Sequence, residues 1–323
     1  DRFGFSSSQN AKLTLQQNAN SVTPPTGFAK YWGATVGASA NVTVGASDYF
    51  ALQQRIEGNN LADMGFGAVG ASTFTVSFWV RSSLTGQFGG AIRNSANNRS
   101  YPFAYTISSA NTWTQVSITI AGDTTGTWLT NNSAGIRVFF NLGSGSTYQG
   151  TANTWAGTAY FGATGNTSVV GTNGATFYIT GVQLERGSTA SSFEYRPYGA
   201  EAHLCYRYFY KLGGLGSNQA IYFNGGTLPS SSSGCPVIIN CPAVFRTSPD
   251  FSTNLADANY NTGTLSGSQW HFGQMSNGTV SKSGTGFGIF GQTTNGSIQA
   301  VQFFYTTLSG VPNYLNLGPT AYI

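Results

Sequence analysis

Along most of the chain, apolar and polar side chains alternate one by one in short runs, separated by clusters of Gly, Ser, Asn and Thr. A period of two puts successive side chains on opposite faces, so the pattern predicts β-strands. The clearest run is TFTVSFWVR, residues 73–81. Phe74, Val76, Phe78 and Val80 share one face, and Thr75, Ser77, Trp79 and Arg81 share the other. Residues 113–120 set Val116, Ile118 and Ile120 inward. Residues 135–142 set Ile136, Val138, Phe140 and Leu142 inward and turn Arg137 and Phe139 outward. Residues 176–184 form a further strand. Helical periodicity is almost absent, and the prediction is an all-β sandwich or barrel.

Two long loops of small residues, 122–133 and 143–174, interrupt the strands; loops of that length are usually functional or packed on something. The stretch GSTASSFEYRPYG, residues 187–199, closes the first patterned region, which places a boundary near residue 200 and gives domains 1–199 and 200–323. Residues 200–212 open as a helical turn, but Tyr206, Tyr208 and Tyr210 alternate with Arg207, Phe209 and Lys211 and read as a strand. Short strands follow at 220–223, 236–241, 269–272, 287–290, 300–306 and 320–323.

Composition narrows the function. Only 7% of the 323 residues are charged, 14 Lys+Arg against 10 Asp+Glu, where an ordinary domain has about 25%. With 23 Phe, 17 Tyr and 6 Trp the chain has ample side chains to bury, which excludes disorder. The basic residues are scattered singly, which disfavours nucleic acid as a partner. No apolar run is long enough to insert in a membrane. The start, Asp1-Arg2-Phe3, has no signal-peptide pattern and reads as part of a longer product. Cys205, Cys235 and Cys241 are odd in number; a Cys235–Cys241 bridge and three free thiols both stay open.

Catalytic patterns are weak. No paired-carboxylate, GxSxG, HExxH or phosphate-loop signature stands out among ten acids and two histidines, His203 and His271. GFGIFG, residues 286–291, fits a dinucleotide fingerprint only by letter, since no βαβ unit surrounds it. Glu57, Glu185 and Glu194 each suit a carboxylate tying down loop amides or an Arg, and Asp48 and Asp123 suit turns. What remains is aromatic and polar surface. A sugar offers apolar C–H faces and a rim of hydroxyls, which flat aromatics flanked by hydrogen-bonding side chains recognise. The candidates are Trp79, Arg81, Trp128, Arg137, Phe139, Tyr148, Trp155 and Tyr160; packing against a second sheet or a sister subunit is the competing use of each.

The runs TFTVSFWVRSS, RNSANNRSYPFAYTISSANTWTQVSITIAGDTTGTW and FNLGSGSTYQGTANTW, with the ending NGATFYITGVQLERGSTASSFEYRPYGAE and LCYRYF, resemble tail-fibre and receptor-binding proteins of tailed bacteriophages, notably marine and cyanobacterial phages. The resemblance covers residues 1 to about 212. It implies a jelly-roll domain similar to carbohydrate-binding modules, followed by a smaller β-sandwich or barrel. It also implies a homotrimeric virion component, exposed outside the cell, that meets host surface glycan and other virion proteins. A non-enzymatic fibre or spike is the leading expectation. A virion adaptor or capsid-decorating protein is the alternative, and a polysaccharide depolymerase is the third. Because jelly-roll modules often hold structural calcium through carboxylates and carbonyls, Asp48, Glu57 and Glu185 are the calcium candidates, with no other cofactor expected.

Overall fold

The computed structural model describes residues 3–10, 12–17, 21–37 and 43–208, together with the backbone of five strands beyond residue 233. In chain order the first part forms β1 (Phe3–Ser7), β2 (Leu13–Gln17), β3 (Trp32–Val36), β4 (Tyr49–Glu57), β5 (Phe74–Ser82) and β6 (Gly86–Asn94). Then come β7 (Ser100–Ile107), β8 (Thr114–Ile120), β9 (Ala134–Ser144), the short β10 (Gln149–Gly150) and β11 (Gly162–Ala163), and β12 (Thr176–Arg186). Ten of them build two five-stranded sheets. Sheet A has the order β1-β4-β9-β6-β7 and sheet B the order β2-β3-β12-β5-β8. Every pairing in both is antiparallel. Neighbours in space are mostly distant in sequence, as where β9 lies between β4 and β6, and the result is a jelly-roll β-sandwich.

The alternation predicted from sequence sets the core. Phe74, Val76, Phe78 and Val80 of β5 are buried against Phe140, Val138 and Ile136 of β9 and their neighbours. Phe78 meets Phe140 at 5.0 Å and Tyr105 at 5.2 Å, both edge to face. On β8 the alternation is clean: Val116, Ile118 and Ile120 are buried while Gln115, Ser117 and Thr119 face solvent. β9 is different, being buried on both faces from Val138 to Ser144.

The cause is the second long loop. After β9 the chain folds back across the outer face of sheet A, where β10 and β11 pair in parallel. It is tied down by backbone hydrogen bonds from Thr167 N–H to Gln87 O (2.6 Å) and from Val170 N–H to Leu142 O (3.0 Å). Gly162 lies so close to β9 that a Cβ there would come within 2.5 Å of the Asn141 side-chain nitrogen. This loop is therefore packed on the sheet.

Backbone contacts divide the chain into two compact units, the first closing at Tyr195 and the second beginning at Arg196. The second unit opens on α1 (Tyr198–Tyr206). The strand read from the tyrosine alternation is thus corrected through Tyr206. Pro197 at the N-cap position leads into Ala200, Glu201, Ala202 and Leu204, all good helix formers, with Glu201 in the first turn facing the positive end of the helix dipole. Beyond it lie β13 (Gly234–Asn240), β14 (Asn261–Leu265), β15 (Ser268–His271), β16 (Val280–Ser283) and β17 (Gly286–Gln292). They pair as a three-stranded sheet β13-β17-β16 and a hairpin β14-β15. GFGIFG is a strand, β17, and not a phosphate loop. The strands read at 220–223, 300–306 and 320–323, and Cys241, lie outside the described residues. Among the described residues no helix is long and apolar enough to cross a membrane.

Candidate functional site

The eight aromatic and arginine candidates separate into distinct places, all in the first unit. Trp128 and Trp155 meet edge to face at 5.6 Å, with Phe66 against Trp128 and Tyr101 against Trp155. Both indole N–H groups are spoken for. Trp128 donates to Thr125 O and Asp123 Oδ2, and Trp155 donates to Ala121 O at 2.8 Å. Beside them Arg99 holds the buried Asp123 through two hydrogen bonds of 2.7 and 2.6 Å. Burial by itself would raise the Asp123 carboxyl, but the bonds from Arg99 and Thr125 and the Arg99 charge outweigh it and hold the group below its ordinary value. These side chains close the corner of the sandwich. Tyr160 is likewise a packing residue, its ring lying over Gly150, where any Cβ would run into it.

Trp79 and Arg81 project from the outer face of sheet B, as the alternation required. Arg81 donates through Nε to Asn111 O (2.9 Å) and lies 5.7 Å over the Tyr178 ring. A groove of about 650 Å³ runs beside it, lined by Arg81, Asn111, Trp113, Thr23 and Pro24. The Trp113 indole donates to Thr23 O at 2.8 Å. The groove's large side chains are thus satisfied by the protein's own groups.

The outer face of sheet A is built otherwise. The β4–β9–β6 register sets Arg55, Arg137 and Arg93 side by side across three neighbouring strands. The next row of the same face is Gln53, Phe139 and Ala91. Phe139 turns outward from the inter-sheet core as predicted, yet it is only 2% exposed, because the folded-back loop lays Phe161 on it. As a free platform Phe139 is therefore corrected: it is the floor. The platform consists of half-buried Tyr49 and Tyr148, which meet each other at 5.3 Å. Phe161 stacks on Tyr49 at 4.6 Å and meets Tyr148 edge to face.

Arg93 anchors the edge of this cluster. Its guanidinium carbon lies 4.6 Å from the Phe161 ring centre and 4.9 Å from that of Phe139. Asn97, in the left-handed region at φ 60° at the β6–β7 turn, accepts from Arg93 Nη2 (2.8 Å) and from Arg137 Nη1 (3.2 Å). Arg137 Nη2 also reaches Ser95 O. Nε and Nη1 of Arg93 and Nε of Arg137 are buried without an acceptor. Burial, then the Arg137 charge, lowers the Arg93 pKa to about 10; burial, then Arg55, lowers that of Arg137.

The calcium candidates do not come together. Asp48 and Glu57 flank and end the same nine-residue strand, β4, and Glu185 lies in the other sheet on β12. Asp48 accepts from Ser8, Gln9 and the Gly45 N–H, which pins the N-terminal strand. Glu185 accepts from Ser191 twice and from Gln183, and these bonds, led by that of the Ser191 hydroxyl, lower its pKa. Glu57 is buried. Among the described residues no three His, Cys, Asp or Glu side chains gather as metal ligands.

Sequence reasoning found Arg137, Phe139 and Tyr148 on this face but missed Arg55, Arg93, Tyr49 and Phe161. A usable signal was present: Arg55-Ile56, Ile92-Arg93 and Ile136-Arg137 each set an arginine on the face opposite an isoleucine turned toward the core side.

No protein-family model matches the sequence, and no curated protein matches it either. Among solved structures the chain is similar to the enzymatically active domain of tailspike protein 4 of bacteriophage CBA120, at 13% identity and TM-score 0.31, over 57% of this chain and 19% of that one. It is similar to a family 11 carbohydrate-binding module from Clostridium thermocellum solved with a mixed-linked tetrasaccharide, at 12% identity and TM-score 0.30, over 59% of this chain and 91% of that one. A family 61 module solved with β-1,4-galactotriose gives 13% identity and TM-score 0.29, over 57% and 88%. Likenesses at this level leave the site to be read from its own side chains.

Proposed function

We propose that this protein binds glycan on the outer face of sheet A. The observation that carries the reading is the half-buried Tyr49–Tyr148 pair, backed by Phe161 and Phe139, with Arg93 against those two rings and joined to Arg137 through Asn97. Such a surface offers a ring face to sugar C–H groups and fixed N–H donors to hydroxyl oxygens. The low overall charge fits, since hydroxyls are recognised by amides and aromatics without net charge.

The resemblance of residues 1 to about 212 to phage fibres supports the wider proposal: a non-enzymatic, homotrimeric fibre or spike of a virion, which adsorbs to host surface glycan. The test is a microbial glycan array probed with the full chain, wild type against Tyr148→Ala and Trp79→Ala. Binding that falls with Tyr148→Ala and survives Trp79→Ala is expected. Loss confined to Trp79→Ala would move the site to sheet B, and no binding to any host polysaccharide would favour the virion adaptor. Reducing ends released from bound polysaccharide would overturn the non-enzymatic part. Light scattering of the full chain should give a trimer, and a monomer at micromolar concentration would refute that assignment.

A further inference from the structure

The arginine row on sheet A is costly as it stands. Like charges directly opposite each other on neighbouring strands destabilise a sheet, and Arg93 faces Arg137, which faces Arg55. A buried guanidinium without a full set of acceptors adds a desolvation cost. Arg93 is only 5% exposed, and its one hydrogen bond goes to a neutral amide. The hydrogen bonds of Arg137 also go to neutral oxygens, those of Asn97 and Ser95. In a chain with only 14 basic residues, three have been set side by side on neighbouring strands, and one of them, Arg93, lies against the aromatic cluster.

Aromatic contact with Phe139 and Phe161 offsets part of the cost for Arg93, but it supplies no acceptor and nothing for Arg137. The missing partner is an oxyanion. A planar guanidinium pair matches the two oxygens of a carboxylate, and such charge-assisted bonds are the strong ones. We propose that the glycan bound on sheet A is anionic, and that its carboxylate, sulfate or phosphate group is held by Arg137 and Arg93 while the adjoining sugar ring rests on Tyr49 and Tyr148. This rests on the glycan-binding reading and names the ligand class for the same face.

The experiment titrates the full chain with a polygalacturonic acid oligosaccharide, a neutral β-1,4-galactan oligosaccharide of equal length, and dextran sulfate. Wild type is compared with Arg137→Gln and Arg93→Gln, each also followed by thermal melting. The expected result is binding of the uronate oligosaccharide at least tenfold tighter than the neutral one. Each substitution should weaken uronate binding tenfold or more, while melting temperature stays level or rises, because each removes a poorly paired charge. A sulfated-sugar ligand would appear as dextran sulfate binding with the same dependence on Arg137.

Equal or tighter binding of the neutral oligosaccharide would overturn the anionic assignment and leave glycan binding standing. Failure of both oligosaccharides and of dextran sulfate, with no signal on a wider array, would overturn both. Polyanion binding that ignores Arg137→Gln and Arg93→Gln would mark general charge attraction and refute the proposed site. A large fall in melting temperature in both variants, with uronate affinity intact, would make the row structural.

Discussion

An arginine set among aromatic rings serves opposite ends at the corner of the first unit and on the outer face of its sheet A. At the corner, Arg99 lies 6.0 Å from the Trp155 ring and is closed by the carboxylate of Asp123 in a two-bond ion pair, with Trp128 bonded to the same carboxylate. On sheet A, Arg93 lies against Phe139 and Phe161 with its hydrogen bond to the neutral Asn97, beside Arg137, whose bonds also go to neutral oxygens. The ingredients match and the bookkeeping of charge does not. The balanced charge at the corner holds the fold together, and the open one on sheet A is the one we propose an outside anion completes.

The largest effect is expected at the corner. Arg99→Met strands Asp123 in the interior, and removal of one partner of a buried pair costs about 3–5 kcal/mol, to be read from urea unfolding; glycan binding should not change. The pH dependence follows. The Asp123 carboxyl is lowered from 3.8, so its stabilisation is complete above the unfolded value and is lost as pH falls through the folded one. Wild type should therefore lose more stability than Asp123→Asn between about pH 5 and pH 3, measured by melting at fixed pH.

Next in size, Phe161→Ala removes the lid from Phe139 and should cost about 3 kcal/mol, with glycan affinity falling because Tyr49 loses its stacked support. Smaller again, Tyr148→Ala should weaken glycan binding about tenfold, or about 1.4 kcal/mol, with stability little changed. Smallest, Arg93→Gln should leave stability within about 1 kcal/mol of wild type. A loss there as large as that of Arg99→Met would erase the distinction between the two arginines.

The sandwich was legible wherever a strand has one face to solvent or sits at the core with bulky alternation. The runs at 73–81, 113–120, 135–142 and 176–184 correspond to β5, β8, β9 and β12 within one or two residues, or two at the far ends. β6, GQFGGAIRN, was not, because the covering loop demands small residues on its outer side and these erase the alternation. Nor was β7, whose Pro102 sits at a sheet edge, where a strand tolerates it. α1 was masked by tyrosines spaced by two.

The site was half legible. An outward Arg137 can be read from its own strand, but its meeting with Arg93 and Arg55 depends on the register of three strands that are far apart in sequence, and a single sequence does not specify register. For the same reason Trp128 and Trp155 looked available: nothing local shows that Asp123, Thr125 and Ala121 already accept their N–H groups.

The most direct test of the binding face is to follow the Nε–H resonances of Arg93, Arg137 and Arg81 by NMR, together with the indole signals of Trp79 and Trp113, while the uronate oligosaccharide is added to the full chain. Saturable shifts of Arg93 and Arg137 with Arg81, Trp79 and Trp113 unmoved are predicted. Shifts confined to Arg81 and the two tryptophans, with Arg93 and Arg137 still, would contradict the account.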